Sequence, residues 1–127
     1  MRRADGTTTN VIGFAGVNAH GRGGADTADL YDTPGDDQLV MRAGYTLLKR
    51  GEDVFSRAFD FPRVSAHGTD AGHDTAWLYD TAADDVVNMT EGYTTFESPD
   101  GTFFAVTDNF EDIRPLSVVG GRDSIWI

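Results

Sequence analysis

Cysteine is absent from this 127-residue sequence, so neither disulfides nor thiolate metal sites can stabilise its fold. No apolar run is long enough to cross a bilayer, and the residues up to Asn10 lack the apolar core of a secretory signal. We therefore expect no membrane insertion. Stability must come from packing, strand pairing or bound ions.

Positive charge is also scarce. Acidic residues outnumber basic residues 21 to 10, the formal net charge is −11, and Lys49 is the only lysine. This charge repels phosphate backbones and argues against a nucleic-acid partner, while it favours cations. Aspartates make up 17 of the acidic residues, a bias typical of turns and cation-binding loops, because the short Asp side chain bonds local backbone and offers oxygen to hard cations.

An internal repeat organises the chain. The run DTADLYDT at 26–33 returns as DTAWLYDT at 74–81, an offset of 48, and nine of twelve positions are identical between 26–37 and 74–85. Gly121–Ile127 mirrors the start of the second block at an offset of 49. We predict a tail over residues 1–10 and one domain over 11–127. The domain would contain about 2.5 repeats, at about 14–60, 61–109 and 110–127.

Alternation of side chains predicts short strands and no helix. In 75–79, Ala76 and Leu78 lie on one face and Trp77 and Tyr79 on the other. Ser98-Pro99-Asp100-Gly101 predicts a tight turn within a hairpin. The class is therefore all-β: a β-solenoid or β-roll-like stack of repeats of about 48 residues, with a small antiparallel β-sandwich as the alternative. Strand-like runs lie at 27–31, 38–41, 45–48, 54–59, 75–79, 86–89, 93–97, 102–107, 113–119 and 124–127.

The repeated block carries a longer motif. Residues 24–37 read G-A-D-T-A-D-L-Y-D-T-P-G-D-D, and the second copy, 72–85, has Ala82-Ala83 in place of Pro-Gly. This resembles the tandem repeats of large secreted bacterial proteins built on G-x-D-x-A-x-L-Y-D-S-x-G-x-D. The resemblance implies a multi-copy, non-catalytic role outside the cell or on its surface, and it brings no characterised activity or binding residues.

A second, local resemblance concerns calcium. Segments 35–40 and 121–126 fit G-x-D-x-(apolar)-x, half of the nonapeptide of calcium-binding RTX β-roll repeats. The resemblance implies calcium ligands at Asp37 and Asp123, with Asp26, Asp74 and Asp85 as looser counterparts. The match is incomplete, because the first two motif aspartates, Asp26 and Asp37, are 11 residues apart where RTX repeats have nine. The alternative is that the aspartates make Asx-type turns, at Asp32, Asp36, Asp80 and Asp84.

Exposed aromatic residues suggest a contact surface. We expect an assembly or ligand-binding face from Trp77, Tyr79, Tyr31 and Trp126, with a glycan as one candidate ligand. His67 and His73 lie near Asp70 and suggest zinc, but an exposed turn is the simpler interpretation because no repeat counterpart matches His73.

These features predict a non-catalytic structural or adhesive module of an extracellular or surface assembly, with calcium as a stabilising ion. Its expected partners are copies of itself or a larger protein assembly, since Ser124–Ile127 reads as a strand with an unpaired edge. The alternative is a carbohydrate- or protein-binding module. An enzyme is not expected, because the sequence has no nucleophile elbow, P-loop or dinucleotide fingerprint.

Overall fold

The computed structural model describes residues 15–22, 25–51 and 53–127, so the predicted tail at 1–10 lies outside it. This part of the chain contains twelve strands, which confirms the all-β class. The strands are β1 Gly16–His20, β2 Thr27–Tyr31, β3 Asp37–Arg42, β4 Tyr45–Arg50, β5 Val54–Phe59, β6 Arg63–His67, β7 Thr75–Tyr79, β8 Val86–Thr90, β9 Tyr93–Glu97, β10 Phe104–Asp108, β11 Asp112–Leu116 and β12 Ser124–Trp126.

The strands form two six-stranded mixed sheets. The first sheet has the order β1-β5-β4-β3-β7-β11, and the second has the order β12-β8-β9-β10-β6-β2. Strands that follow one another within a sheet, such as β3 and β4, pair antiparallel. Every pairing between strands of different repeats is parallel: β2 with β6, β3 with β7, β7 with β11, and β8 with β12.

Successive repeats alternate between the sheets. Strands β1, β3, β4 and β5 of the first repeat lie in the first sheet, and their counterparts β6, β8, β9 and β10 lie in the second. The second strand of each repeat crosses to the opposite sheet, where β2 joins β6 and β7 joins β3 and β11. Equivalent strands of neighbouring repeats therefore lie in opposite sheets and do not stack on one another as solenoid coils do. The alternative prediction, a small antiparallel β-sandwich, also needs correction, because a purely antiparallel sandwich would lack these parallel strand pairs.

One buried core is shared by both sheets. The predicted alternation holds in β7, where Ala76 and Leu78 are buried and Trp77 and Tyr79 are half-buried on the opposite face. Small and large side chains alternate across the interior, so that the two sheets pack closely. The core consists of Ala28, Leu39, Met41, Leu48, Ala58, Phe61, Val64, Ala66, Ala76, Leu78, Val87, Phe96, Phe103, Ala105 and Phe110.

The predicted hairpin turn at 98–101 is confirmed. The Gly101 N–H donates to the Ser98 carbonyl at 3.0 Å, the Ser98 N–H donates to the Phe103 carbonyl at 3.1 Å, and β9 and β10 pair antiparallel. Gly101 has a φ of +72°, a conformation that favours glycine. Within the described residues, no helix is long and apolar enough to span a membrane.

Candidate metal centre

The turns that connect β2 to β3 and β6 to β7 lie against each other where the first repeat meets the second. The Thr69 N–H donates to Asp32 Oδ2 at 2.9 Å, and the His73 N–H donates to Asp36 Oδ1 at 2.9 Å. A Cβ atom at Gly72 would lie 2.2 Å from the Gly35 carbonyl oxygen, so only glycine allows this approach of the two backbones. We call this contact the first junction.

Two fully buried aspartates lie inside the first junction. The Asp37 N–H donates to Asp74 Oδ1 at 2.8 Å, which ties the start of β3 to the start of β7. Asp37 also accepts the Thr33 N–H at 2.7 Å and the Thr33 hydroxyl at 2.9 Å, while the Asp74 N–H donates to Glu111 at 2.7 Å. The relative exposure of Asp74 is 0% and that of Asp37 is 1%.

Asp32 joins these two residues to form an aspartate triad. One carboxylate oxygen from each of Asp32, Asp37 and Asp74 lies within 4.8 Å of the others. Asp32 Oδ1 and Asp74 Oδ2 are buried and have no hydrogen-bond partner. An unsatisfied buried polar atom costs about 1–3 kcal/mol, and more if it is charged. The triad could hold a metal ion, because a hard cation would satisfy both oxygens.

The electrostatics of Asp74 favour a bound positive charge. Burial, together with the neighbouring Asp32 and Glu111 carboxylates, raises the pKa of Asp74 to about 7, although the hydrogen bond from the Asp37 N–H opposes the rise. Near neutral pH, protonation and cation binding therefore compete at the Asp74 carboxyl. Below its pKa, the group is protonated without a cation and deprotonated when one is bound.

An equivalent junction joins the second repeat to the third, and its aspartates are satisfied differently. The Asp85 N–H donates to Asp123 Oδ1 at 3.1 Å, as Asp37 does to Asp74. Asp80, the counterpart of Asp32, accepts the N–H groups of Val118 at 3.0 Å and Val119 at 3.1 Å. Burial alone would raise the pKa of Asp80, but these backbone N–H groups lower it below its usual value. We call this contact the second junction.

The structure places the five predicted calcium ligands at different points. Asp37 and Asp74 belong to the triad, whereas Asp85 and Asp123 lie in the second junction. Asp26 is buried near the start of β2, where it accepts the Arg22 N–H at 3.1 Å. The triad is therefore drawn from two repeats, an arrangement that spacing within one repeat does not reveal.

The predicted turn aspartates also act between repeats. Asp32 accepts the N–H of Thr69, and Asp36 accepts that of His73, 37 residues further along the chain. Asp84 likewise accepts the Arg122 N–H at 2.7 Å. Local Asx-type turns account for none of these three bonds, and Asp32 was missed as a candidate ligand because its partners come from the next repeat.

The four predicted aromatic residues do not form one surface. Trp77 and Tyr79 lie on the outer face of the first sheet, while Tyr31 and Trp126 lie on the outer face of the second sheet. Tyr31 is 64% exposed and Trp126 is 65% exposed. Each sheet therefore presents its own aromatic residues to a partner.

The predicted histidine group is not assembled. His67 bonds through Nδ1 to Asp108 at 2.7 Å, stacks on Tyr31 with ring centroids 4.8 Å apart, and lies within the second sheet. His73 is exposed at the first junction. Across the described parts of the chain, the aspartate triad is the one cluster of three or more residues suited to a metal, and it contains no histidine.

Comparison with known proteins gives no family. No family model, curated protein or solved structure matches this chain. The resemblance to secreted bacterial repeats stays a prediction. The geometry of the two junctions and of the outer sheet faces is the remaining source of information about function.

Proposed function

We propose that this chain is a non-catalytic structural or adhesive repeat module of an extracellular or cell-surface assembly, ordered by calcium at the aspartate triad. The observation that carries the proposal is the crossing of each repeat's second strand into the opposite sheet. Two parallel strand pairs, β2 with β6 and β3 with β7, join the first repeat to the second. Separating the repeats requires both ladders to break, so the module resists deformation.

The carboxylates of the first junction support a framework role rather than a reaction. Asp37, Asp74 and Asp36 lie between packed turns, where their oxygens accept backbone N–H groups. Hydrogen bonds to a charged acceptor are stronger than those between neutral groups, typically about 1.5–3 kcal/mol each. The same side chains therefore fix the angle between neighbouring repeats.

Calcium is the ion that best fits the triad. All three candidate ligands are carboxylates, and calcium accepts oxygen ligands in flexible geometry, whereas magnesium demands a near-ideal octahedron. Zinc and copper prefer imidazole or thiolate ligands, and the triad offers neither. A divalent cation would also balance the negative charge of three neighbouring carboxylates, two of which belong to fully buried residues.

Thermal melting tests the calcium site. After chelation, added calcium should raise the Tm of the native chain, since an ion that binds only the folded state stabilises it by linkage. Asp74→Asn should abolish the increase, and magnesium should produce a smaller one. Asp123→Asn is the matched control, because Asp123 makes the corresponding bond in the second junction and should leave the calcium effect in place.

These outcomes distinguish a failure of the proposed calcium site from a failure of the proposed structural role. A native chain whose Tm ignores calcium would remove calcium from the proposal but leave the framework intact. An equal loss of the calcium effect in Asp74→Asn and Asp123→Asn would place the ion elsewhere.

Self-association tests the framework. Among the described strands, four lie at sheet edges, β1, β11, β12 and β2, and each has one side without a paired strand in this part of the chain. Ile125 in β12 is 51% exposed, although its counterparts Ala28 and Ala76 are buried. We expect sedimentation velocity to show larger species as concentration rises, and Ile125→Lys to reduce them. A compact monomer at every concentration, with no retained partner, would contradict self-assembly.

A binding module is the second candidate function, and one observation favours it. Arginine side chains lie over aromatic rings on the outer face of the first sheet, with Arg42 4.5 Å from the Tyr79 ring centroid and Arg114 5.6 Å from that of Trp77. Cations and rings held together in this way form a surface suited to a ligand.

A further inference from the structure

The outer face of the first sheet differs in charge from the rest of the molecule. Its outward side chains include four basic residues and one acidic residue, Asp112, for a formal charge of +3. The whole chain carries −11, so the remaining residues carry −14. We call this surface the basic face, and its basic residues are Arg42, Lys49, Arg57 and Arg114.

The opposite side of the molecule shows the reverse balance. The outward side chains of the second sheet include one basic residue, Arg63, and three acidic residues, for a formal charge of −2. The acidic residues are Asp29, Glu97 and Asp108. Basic side chains are therefore concentrated on one flat side of a strongly acidic protein.

Strand register arranges the basic face in rows. One row runs across the sheet, with Arg57 beside Leu47, Val40 beside Trp77, and Trp77 beside Arg114. Arg57 and Arg114 lie on strands separated by four inter-strand spacings, a span of roughly 19 Å at about 4.8 Å per strand. Aromatic and aliphatic side chains fill the space between the two cations.

Three of the basic side chains on this face have no ion-pair partner among the described residues. Arg114 pairs with Asp112, but among the described residues no carboxylate forms an ion pair with Arg42, Lys49 or Arg57. Arg57 lies over the Phe55 ring at 4.2 Å, and Lys49 is exposed to solvent. Their charge is therefore available to an anionic ligand.

We propose that the basic face binds a linear anionic polysaccharide, with its acidic groups on Arg42, Lys49 and Arg57 and its sugar rings against Trp77 and the neighbouring aromatic side chains. The row of side chains from Arg57 to Arg114 spans roughly 19 Å, which is long enough for several sugar units. A polysaccharide with one charge per sugar or fewer suits three spaced cations. Duplex DNA carries one charge per about 1.7 Å, and the remaining −14 of the chain would repel it strongly.

This role goes beyond the framework function and does not depend on the calcium site. The basic face belongs mainly to strands β3, β4 and β5, on the outside of the first sheet, whereas the triad lies in the junction turns. A failure of calcium binding would leave the polysaccharide proposal standing, and the reverse also holds.

Affinity electrophoresis in gels containing sodium alginate tests the proposal, with neutral dextran as the comparison polymer. The native chain should be retarded by alginate and not by dextran at low salt, and added salt should weaken binding by screening the cations. Arg42→Gln/Arg57→Gln should weaken binding by about tenfold, which corresponds to about 1.4 kcal/mol.

Arg63→Gln is the matched control. Arg63 lies over the Phe104 ring at 4.8 Å, so this change removes one positive charge from the same kind of ring contact, as each single change of the double variant does, but on the second sheet. Its binding should stay within about twofold of the native value, well below the tenfold step. If the double variant is poorly folded by circular dichroism, Lys49→Gln replaces it, because Lys49 is an exposed residue whose loss disturbs no packing.

Four results would overturn the proposal. These are absence of alginate binding at low salt, equal weakening in Arg63→Gln, equal or tighter binding of a DNA duplex, and sedimentation showing that the basic face joins a second copy of the chain instead. Retardation by alginate alone, lost in the double variant and kept in the control, is the supporting result.

Discussion

Asp74 shows how one side chain can serve both structure and ion binding. Its Oδ1 accepts the Asp37 N–H, which fixes the register of β3 against β7, while its Oδ2 is buried without a partner. The first oxygen explains why the residue is buried, and the second explains why burial costs free energy. The RTX-like pattern marked Asp37 and Asp74 as calcium ligands, and the structure places both in the triad. It could not identify Asp32, whose contact with Asp74 exists only after two repeats fold together.

The pH dependence of stability should reveal the state of Asp74. Its pKa is about 7 in the folded chain and near 3.8 in the unfolded chain, so between these values the folded state holds the extra proton. In chelator, the free energy of unfolding should therefore fall as pH rises from about 4 to about 7. Calcium should remove much of this decline, because the ion replaces the proton. Urea unfolding across this range measures the effect.

Asp74→Asn is the control for that measurement. The amide keeps an oxygen for the Asp37 N–H but does not titrate, so the decline between pH 4 and pH 7 should flatten. A native chain whose stability rises through this range would show that the carboxyl is not held in its protonated form.

Asp80 should behave in the opposite way. Its pKa is lowered because the N–H groups of Val118 and Val119 bond its carboxylate, so its stabilising effect is present at neutral pH and is lost as pH falls below its ordinary value. We expect Asp80→Ala to cost about 1–3 kcal/mol at pH 7, since partly buried hydrogen bonds to a charged acceptor are lost. Denaturant melts should give the same loss with and without calcium. A loss that depends on calcium would indicate a second ion site.

At the scale of strands and turns, local pattern predicted the elements but not their partners. Strands expected at 27–31, 54–59, 75–79 and 93–97 occur with the predicted bounds, because alternating apolar residues and Asp or Gly turns define each strand locally. β1 and β6 were not among the predicted strands, since polar residues such as Asn18 and Ser65 weaken their alternation. The alternation identifies the buried face of a strand but not its neighbour, so the crossing of β2 and β7 between sheets could not be predicted.

The turn containing Gly72 gives a test of the first junction. Gly72 has a φ of +93°, and an added Cβ would meet the Gly35 carbonyl oxygen at 2.2 Å. Gly92 has a φ of +90°, but nothing lies within 4 Å of the corresponding Cβ position. Gly92→Ala should therefore cost only the backbone strain, about 1–2 kcal/mol. Gly72→Ala should cost more and should also weaken calcium binding.

Urea melts of the two alanine variants measure this difference. Because the two glycines have nearly the same φ, any excess loss of stability at Gly72 reports the contact between the two turns. Equal losses would mean that the junction turns do not touch as closely as described.

At the scale of the whole molecule, stability should depend on the number of repeats. Each junction adds two parallel strand pairs and a set of carboxylate bonds, so the free energy of unfolding should increase with each repeat. We expect a chain with a second copy of 61–109 inserted after residue 109 to unfold cooperatively at a higher temperature. Its denaturant m-value should rise roughly 1.4-fold with the added length. Calorimetry that resolves two separate transitions would show that the junctions do not couple the repeats.

The alternation of repeats between sheets makes any longer array two-sided. Odd-numbered repeats would display four of their five strands on one side and even-numbered repeats four of theirs on the other. The second strand of each repeat crosses over, so each side gains about five strands for every two repeats. At about 4.8 Å per strand, identical surfaces would recur on one side every 24 Å or so. A polymer lying along that side would meet four strands of every second repeat and one crossing strand, the counterpart of β7, from each intervening repeat. Sequence change in the other four strands of the intervening repeats would leave its binding untouched.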